Sequence, residues 1–325
     1  MEDVERGGLF LNSRQLAKTW PFKRYSAYER EMRQIAATWF SRRGYSTNTR
    51  YNFILDKWEN WPNNIICEEV AQYIQNEKKL AKGDKPFPLH KYVHHGLSSQ
   101  AMLFNLIGPL IVRKDLSPLK TVFAETGIDW ANGDVKASFE YEDRELFNED
   151  SAQPTSIDLC IEGSPRLFIE AKLVEREFGG CSVFASGDCE GMNPCQQGFS
   201  YCYLHHIGRN YWNKLQEYNF ITPPFSTSSI CPMANNYQFF REVLFALSSR
   251  GRFVLLYDER NPTFFRTSKD GKQTFGLWPF MLSFVPKKYK NDVYSVTIQQ
   301  VVKAIEDNGK HNDWINQFKE KYGLN

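Results

Sequence analysis

Two short apolar runs joined by a tight turn constrain the fold of this chain more than any other feature. Residues 156–162 and 166–174 are rich in Ile, Leu and Phe, and the tripeptide Gly163-Ser164-Pro165 separates them. Runs of this length and composition, bounded by Gly and Pro, are typical of β-strands, and a three-residue connection joins such strands as an antiparallel hairpin. We therefore expect residues 156–174 to form a hairpin within a β-sheet.

The alternation of side chains along these strands separates an apolar face from a polar face. On the first strand Ile157 and Leu159 share the apolar face, and Asp158 lies on the other. On the second strand Glu170 and Lys172 lie on the polar face. A three-residue loop sets the register so that Asp158 is directly opposite Glu170, with Cβ atoms roughly 4.5–5.5 Å apart. We expect Glu170 and Lys172 to be exposed on this face.

Two carboxylates at this separation repel each other, and structural stability alone does not favour the pair. A divalent cation removes the repulsion, and Mg²⁺ prefers oxygen ligands from carboxylates and water. Such a metal polarises a phosphate and lowers the pKa of a bound water, while a neighbouring ammonium stabilises charge in the transition state. The pattern favours hydrolysis of a phosphodiester; the alternative is a solvent-facing hairpin with a surface Glu–Lys pair.

The order Asp-(x)n-Glu-x-Lys resembles the motif of the PD-(D/E)XK nuclease superfamily, which includes many restriction enzymes and repair nucleases. The resemblance implies that Asp158 and Glu170 bind Mg²⁺ or Mn²⁺, that the backbone carbonyl of Ala171 is a further ligand, and that Lys172 is the catalytic lysine. Ile157 stands where the superfamily usually has Pro. The stretch that begins at Glu170 is also similar to a group of bacterial restriction-endonuclease-like proteins.

The superfamily places a helix upstream of the catalytic strands, and that helix can donate a further polar residue to the site. The mostly apolar run from Ser98 to Val112 matches it, and Gly108-Pro109 predicts an interruption near its end. Its polar candidates are Gln100 and Asn105. Alternatives for a third acidic ligand lie elsewhere in the chain: Glu125, Glu140 and Glu175.

A second helix follows the catalytic strands in this superfamily and often carries a Gln or a basic residue that faces the site. Residues 236–247 have the apolar spacing of a helix, and they contain Gln238, which we include among the catalytic residues. The apolar run 252–257 is the next expected strand of the sheet.

The remaining periodicities complete an α/β pattern. They predict helices over residues 26–40, 66–82 (ending at Gly83) and 313–321, a strand over 136–141, and a strand followed by a helix within 293–305. The expected fold is a PD-(D/E)XK nuclease-like core, with a mixed central sheet flanked by helices and an α-helical N-terminal part. We expect residues 1–90 to form the helical region packed on the core and 91–325 to form the nuclease core, with a Cys-rich insertion at about 179–205.

The Cys-rich insertion is the other cluster of potential metal ligands. Residues 179–200 are rich in Gly and lack periodicity, which predicts an irregular loop. Four of the seven cysteines crowd this region, and they form a candidate site for a structural zinc or, as a second choice, an iron–sulfur cluster: Cys181, Cys189, Cys195 and Cys202. The spacing lacks Cys-x-x-Cys knuckles, so a reduced, partly buried set of cysteines is the alternative. Cys67, Cys160 and Cys231 are interpreted as core residues.

Composition adds little to this interpretation. The net charge of +2 does not by itself indicate a nucleic-acid partner. No run is apolar enough to span a bilayer, and the acidic N-terminus does not resemble a signal peptide, so we expect a cytoplasmic protein that does not interact with membranes. The leading hypothesis is a Mg²⁺-dependent DNA endonuclease of restriction or defence type, for which a homodimer is one way to cut both strands. The alternatives are a DNA repair or recombination nuclease and a catalytically inactive nucleic-acid-binding module.

Overall fold

The structure is a computed structural model that describes residues 26–81, 87–149 and 154–324. Its N-terminal part is helical, as the sequence predicts. The elements before the sheet are α1 (Ser26–Arg42), a 3-10 helix (Trp58–Asn64), α2 (Glu68–Leu80), α3 (Ser99–Val112) and α4 (Ser117–Glu125). Helix α2 ends at Leu80, and the expected end at Gly83 lies outside the described residues.

Helix α3 runs unbroken through Gly108-Pro109, so the predicted interruption is wrong. The side chain of Ser98 accepts the N–H of Ala101 and caps the start of the helix. Gly108 marks a close approach of helices rather than a break, because a Cβ at this position would lie 2.5 Å from Cγ1 of Val70 in α2. Pro109 has no backbone N–H to donate within the helix, but its side chain is buried in the packing around α3.

The strands form one mixed sheet and one small ribbon. They are β1 (Asn132–Glu142), β2 (Ser156–Ser164), β3 (Leu167–Lys172), β4 (Arg252–Tyr257), β5 (Arg266–Thr267), β6 (Thr274–Phe275) and β7 (Val293–Thr297). The five-stranded sheet has the order β1-β2-β3-β4-β7, and β5 pairs with β6. The β1–β2 and β2–β3 pairs are antiparallel, whereas β3–β4 and β4–β7 are parallel.

The elements after β3 are mostly helical. They are α5 (Ser182–Ser186), α6 (Pro194–Gln197), a 3-10 turn (Phe199–Tyr201), α7 (Tyr203–His206), α8 (Tyr211–Glu217), α9 (Met233–Ser248), α10 (Leu277–Phe284), a 3-10 segment (Lys287–Asp292), α11 (Ile298–Asn308) and α12 (Asn312–Tyr322). The segment 179–200 therefore contains short helices, where the sequence predicted an irregular loop. Within the described part of the chain, no helix has both the length and the apolarity of a membrane span.

Connection length explains the mixed pairing of the sheet. A short turn joins β2 to β3, which forces an antiparallel pair. Long helical crossovers join β3 to β4 and β4 to β7, and parallel pairs require such crossovers. Strand β3 is consequently central, and all six of its residues are buried.

Helices cover both faces of the sheet. Leu167 and Ile169 of β3 belong to a hydrophobic cluster that includes residues of α1 to α4, α11 and α12. Phe168 belongs to a second cluster formed with α8, α9 and α10. The N-terminal helices therefore share their core with the sheet, while the proposed division of the chain at residue 90 stays a prediction.

An irregularity in β1 interrupts the expected alternation. The pairs Phe139↔Leu159 and Tyr141↔Ile157 flank Glu140, whose backbone has the left-handed φ of 54°. Leu159 packs in the first cluster, but Ile157 packs in the second, so these residues do not share one apolar face as predicted. The register is kept on both sides of Glu140, so the change of face in β2 coincides with the left-handed backbone of β1 and not with a slip in pairing.

Candidate active site

The hairpin brings Asp158 and Glu170 together through its register. The paired residues are Leu159↔Ile169, Cys160↔Phe168 and Ile161↔Leu167, and the same register extended by one residue places Asp158 opposite Glu170. This register is the one that a loop of residues 163–165 predicts. The hairpin therefore brings the two carboxylates to neighbouring positions on adjacent strands.

Glu170, Lys172 and Gln238 form a closed hydrogen-bonded triangle between β3 and α9. The Lys172 ammonium donates to Glu170 Oε1 at 2.6 Å and to Gln238 Oε1 at 2.8 Å. The Gln238 amide nitrogen donates to the same Glu170 oxygen at 2.7 Å. The structure thus places Gln238 beside the two β3 residues, where the sequence predicted a glutamine facing the site.

The expected exposure of Glu170 and Lys172 is wrong. Glu170 is 1% exposed and Lys172 6% exposed, because α9 packs over this face of the sheet. Burial alone would lower the pKa of Lys172, but the carboxylates of Glu170, Glu175 and Glu242 outweigh it and raise that pKa. The lysine is therefore an ammonium at neutral pH.

Asp158 is held against the backbone of β3. Its Oδ2 atom accepts the N–H of Ala171 at 2.9 Å. Burial raises the pKa of Asp158 well above its ordinary value, and the neighbouring carboxylates of Glu170 and Glu140 raise it further. Without a cation, this carboxyl therefore favours its protonated form.

Of the three candidates for a third carboxylate, Glu140 is the one whose charge raises the pKa of Asp158. It accepts hydrogen bonds from Gln100 of α3 and from the Ser156 hydroxyl at 2.8 Å. Burial raises its pKa to about 7, and the charge of Glu170 contributes in the same direction. Glu125 is exposed at the end of α4, and Glu175 accepts the N–H of Leu173 at 2.6 Å.

The two polar residues of α3 have different environments. Gln100 contacts Glu140 and also the backbone of Pro88 and His90. Asn105 accepts the N–H of Ile66 at 2.7 Å, and its amide donates to the Asn64 carbonyl and the Tyr322 hydroxyl. Gln100 therefore borders the site, whereas the contacts of Asn105 join the N-terminal region to α12.

Glu242 is a site residue that the sequence analysis missed. It lies one turn after Gln238 on α9 and is 1% exposed. Burial, and then the charge of Glu170, raises its pKa well above the ordinary value. The sequence spacing could have identified it, because a glutamate four residues after Gln238 lies on the same face of the helix.

The carboxyl oxygens of this site fit a hard divalent cation. Oε2 of Glu170 and Oε2 of Glu242 are buried and accept no hydrogen bond from the described residues. Buried oxygens without donors, beside carboxyls with raised pKa values, are what a cation would satisfy and deprotonate. In the described chain, no three His, Cys, Asp or Glu side chains are already gathered closely enough to hold a metal ion. Mg²⁺ commonly takes only one or two carboxylates, with water and phosphate completing its shell.

The cysteines assemble differently from the prediction. Cys181, Cys189 and Cys202 line a cavity of about 410 Å³, but the fourth cysteine at its wall is Cys231. Cys195 packs against the hydrophobic cluster beneath α9. The sequence analysis interpreted Cys231 as a core residue, because it lies far from the other cysteines in the sequence, just before α9.

A comparison with protein families identifies the class of this chain. Residues 33–323 match the family described as Restriction Endonuclease associating with ARP. The chain belongs to this family. The family match covers Asp158, Glu170, Lys172 and Gln238, and the mixed five-stranded sheet between helices is a restriction-endonuclease-like fold. Membership indicates a nuclease of the defence type.

No curated protein and no solved structure matches the chain. The family and the geometry of the site therefore carry the functional interpretation together.

Proposed function

We propose that this restriction-endonuclease-like protein is a Mg²⁺- or Mn²⁺-dependent DNA endonuclease whose site is centred on Asp158, Glu170 and Lys172. The observation that carries the proposal is the hairpin register, which sets Asp158 opposite Glu170 while Lys172 lies between Glu170 and Gln238. The family supports the class of enzyme, and this arrangement supports the chemistry.

Asp158 and Glu170 are the residues that would hold the ion, with the backbone carbonyl of Ala171 as a further ligand. Both carboxyls lie on neighbouring strands, and Glu170 has a buried oxygen that accepts no hydrogen bond from the described residues. A bound Mg²⁺ would stabilise charge on a phosphate oxygen and make water a stronger nucleophile. Glu140 and Glu242 lie close enough to interact electrostatically with this pair, and a bound cation would favour their ionised forms.

Lys172 has the position and the charge state to stabilise the transition state. An ammonium has three N–H donors, and Glu170 and Gln238 accept two of them. Among the residues that the structure describes, no third acceptor contacts this ammonium, so we expect its remaining donor to bind a phosphate oxygen that enters the site. Because the ammonium is nearly buried, its interaction with developing charge is screened by little water.

Gln238 positions the other two members of the triangle. Its carbonyl oxygen accepts from Lys172 while its amide nitrogen donates to Glu170. One side chain therefore fixes the ammonium and the carboxylate relative to each other. A loss of Gln238 would leave both charges in place but less well oriented.

Cleavage of defined DNA by purified protein tests the proposal. Supercoiled plasmid, linear duplex, single-stranded and branched DNA are incubated with Mg²⁺, Mn²⁺ or chelator, using the native chain and the variants Asp158→Asn and Glu170→Gln. The matched control is Lys136→Ala, which removes an exposed lysine of β1. We expect metal-dependent cleavage by the native chain and by the control, and at least a hundredfold slower cleavage by both site variants.

The outcomes separate the hypotheses. Cleavage at the native rate by Asp158→Asn or Glu170→Gln would place the active site elsewhere. Binding of DNA without cleavage under every metal condition would support an inactive binding module instead. A strict preference for branched or single-stranded DNA would support a repair or recombination nuclease.

A further inference from the structure

The Cys-rich segment encloses a cavity that is separate from the proposed nuclease site. The cavity measures about 410 Å³ and lies at the N-terminal end of α9, where Met233 and Ala234 form part of its wall. Four free cysteines also line it, from three separate stretches of chain: Cys181, Cys189, Cys202 and Cys231. Such a convergence of thiols from distant positions is not required by the packing of an ordinary core.

Backbone donors face three of these sulfur atoms. The N–H of Gly191 donates to Cys189 Sγ at 3.3 Å. Burial raises the pKa of Cys181, while the N–H groups of Phe184 and Val183 act in the opposite direction. Burial likewise raises the pKa of Cys231, against the N–H of Met233. Burial thus keeps the thiols of Cys181 and Cys231 protonated in the metal-free chain, and the N–H donors would stabilise the thiolates that form when a metal displaces these protons.

The segment has little core of its own to hold this arrangement. Its helices α5, α6 and α7 contain only five, four and four residues, too few to be stable in isolation. The local hydrophobic cluster has only Phe184 and Ala234 as buried members, with cysteines packed around them. Other residues of the segment, such as Phe199 and Leu204, pack against the second hydrophobic cluster, so the small core around Phe184 is the part that a metal would stabilise.

We propose that Cys181, Cys189, Cys202 and Cys231 bind a structural metal centre through four thiolates, either a zinc ion or an iron–sulfur cluster. Both centres take four cysteine sulfurs, and both are closed sites without a catalytic water. Among the described residues the thiols are not already gathered to metal-binding distance, so binding draws them together and displaces their protons.

This centre would stabilise the start of the helix that carries Gln238. The N–H of Cys181 donates to the Ala234 carbonyl at 2.9 Å, and the N–H of Gln238 donates to the Gly179 carbonyl at 3.0 Å. The metal would therefore lock residues 179–181 and the first turns of α9 into one unit. Its presence does not depend on the proposed nuclease activity, and metal content measures it directly.

Elemental analysis of the anaerobically purified full-length chain tests the proposal. We expect either about one zinc per chain or iron with acid-labile sulfide and visible absorption. Cys231→Ser should reduce the metal content at least tenfold. Two controls should retain it: Cys195→Ser, a cysteine of the same segment outside the cavity wall, and Met233→Leu, a volume-conserving change within the wall.

A second measurement on the native chain covers the case in which Cys231→Ser fails to fold. A mercurial reagent is titrated into the protein while a chromogenic chelator reports released metal. Release of one metal centre for about four modified thiols supports the proposal. Native protein that contains no zinc or iron and does not take up either after reduction overturns it, as does loss of metal from Cys195→Ser with retention in Cys231→Ser.

Discussion

Removal of the buried ammonium of Lys172 should destabilise the protein far more than a surface lysine would. Lys172 and Glu170 are 6% and 1% exposed, and their charged atoms lie 2.6 Å apart. Breaking a buried pair by deleting one partner typically costs about 3–5 kcal/mol, because the other charge is left unpaired. Lys172→Met keeps the length of the side chain, so we expect a loss of about 3–5 kcal/mol in the free energy of unfolding.

The cost should fall sharply when Glu170 is neutralised as well. Glu170→Gln alone keeps atoms that can hydrogen-bond to Lys172 and Gln238. We therefore expect this substitution to lower the free energy of unfolding by about 1–3 kcal/mol. In the double variant neither charge is buried, and replacement of a whole buried pair is often close to neutral. We therefore expect the double variant to lose no more than about 2 kcal/mol, which corresponds to a coupling of at least about 2 kcal/mol.

Urea unfolding of metal-free protein at pH 8 and pH 5, followed by circular dichroism, measures this cycle. Lys172 also lowers the pKa of Asp158 and of Glu242. Its removal should raise these two pKa values further, so the loss in the free energy of unfolding should grow as the pH rises from 5 to 8. Lys136→Ala is the matched surface control and should change stability by no more than about 0.5 kcal/mol. Additive effects of the two single substitutions, equal at both pH values, would refute the buried pair.

Three further predictions follow from contacts around the site. Gln238→Ala should slow metal-dependent cleavage about ten- to a hundredfold, because Gln238 orients the charges of the site. The Mg²⁺ concentration for half-maximal rate should change by less than threefold, since Gln238 is not a proposed ligand. A large shift in that concentration would contradict this role. Burial raises the pKa of Glu140 from 4.5 to about 7, so the folded state opposes ionisation of this carboxyl. As the pH rises from about 4.5 through about 7, the free energy of unfolding of the metal-free native protein should fall by up to about 3 kcal/mol relative to that of Glu140→Gln. A constant difference between the two proteins across this window in urea unfolding would disprove the prediction. Asn105→Ala should lower the free energy of unfolding by about 1–3 kcal/mol, because the partly buried N–H of Ile66 and the buried hydroxyl of Tyr322 lose their partner. The cleavage rate of the folded protein should be unchanged, and a specific loss of activity would return Asn105 to the site.

The family comparison and the site geometry are complementary. The family match indicates a nuclease of the defence type but names no residues. The geometry brings Asp158, Glu170, Lys172 and Gln238 into one place, and their roles in metal binding and catalysis remain proposals that the variants above test.

Features controlled by near neighbours in the chain were predictable from the sequence. The turn at residues 163–165 and the apolar alternation on either side decide the hairpin register, and hence the pairing of Asp158 with Glu170. Helix α9 and strand β4 follow from apolar spacing of the same local kind, and Gln238 was found through its place on that helix. Local backbone geometry and the period of hydrophobic residues are sufficient for such conclusions.

Features that depend on what packs across the sheet required the tertiary structure. The burial of Glu170 and Lys172 comes from α9, which is more than sixty residues away, and a strand pattern carries no information about what covers its polar face. The position of Glu140 near Asp158, and of Glu125 away from it, depends on the packing of β1 against β2 and on the contact of Glu140 with Gln100 of α3.

The cysteines show the same division between sequence and tertiary structure. Their crowding at 181–202 was visible in the sequence, but Cys231 joins the cavity only because the start of α9 packs against the residues that follow β3. Distances between segments are decided by burial of the whole core and not by spacing along the chain. The sequence therefore grouped Cys195 with the other cysteines, whereas the fold places Cys231 at the cavity wall.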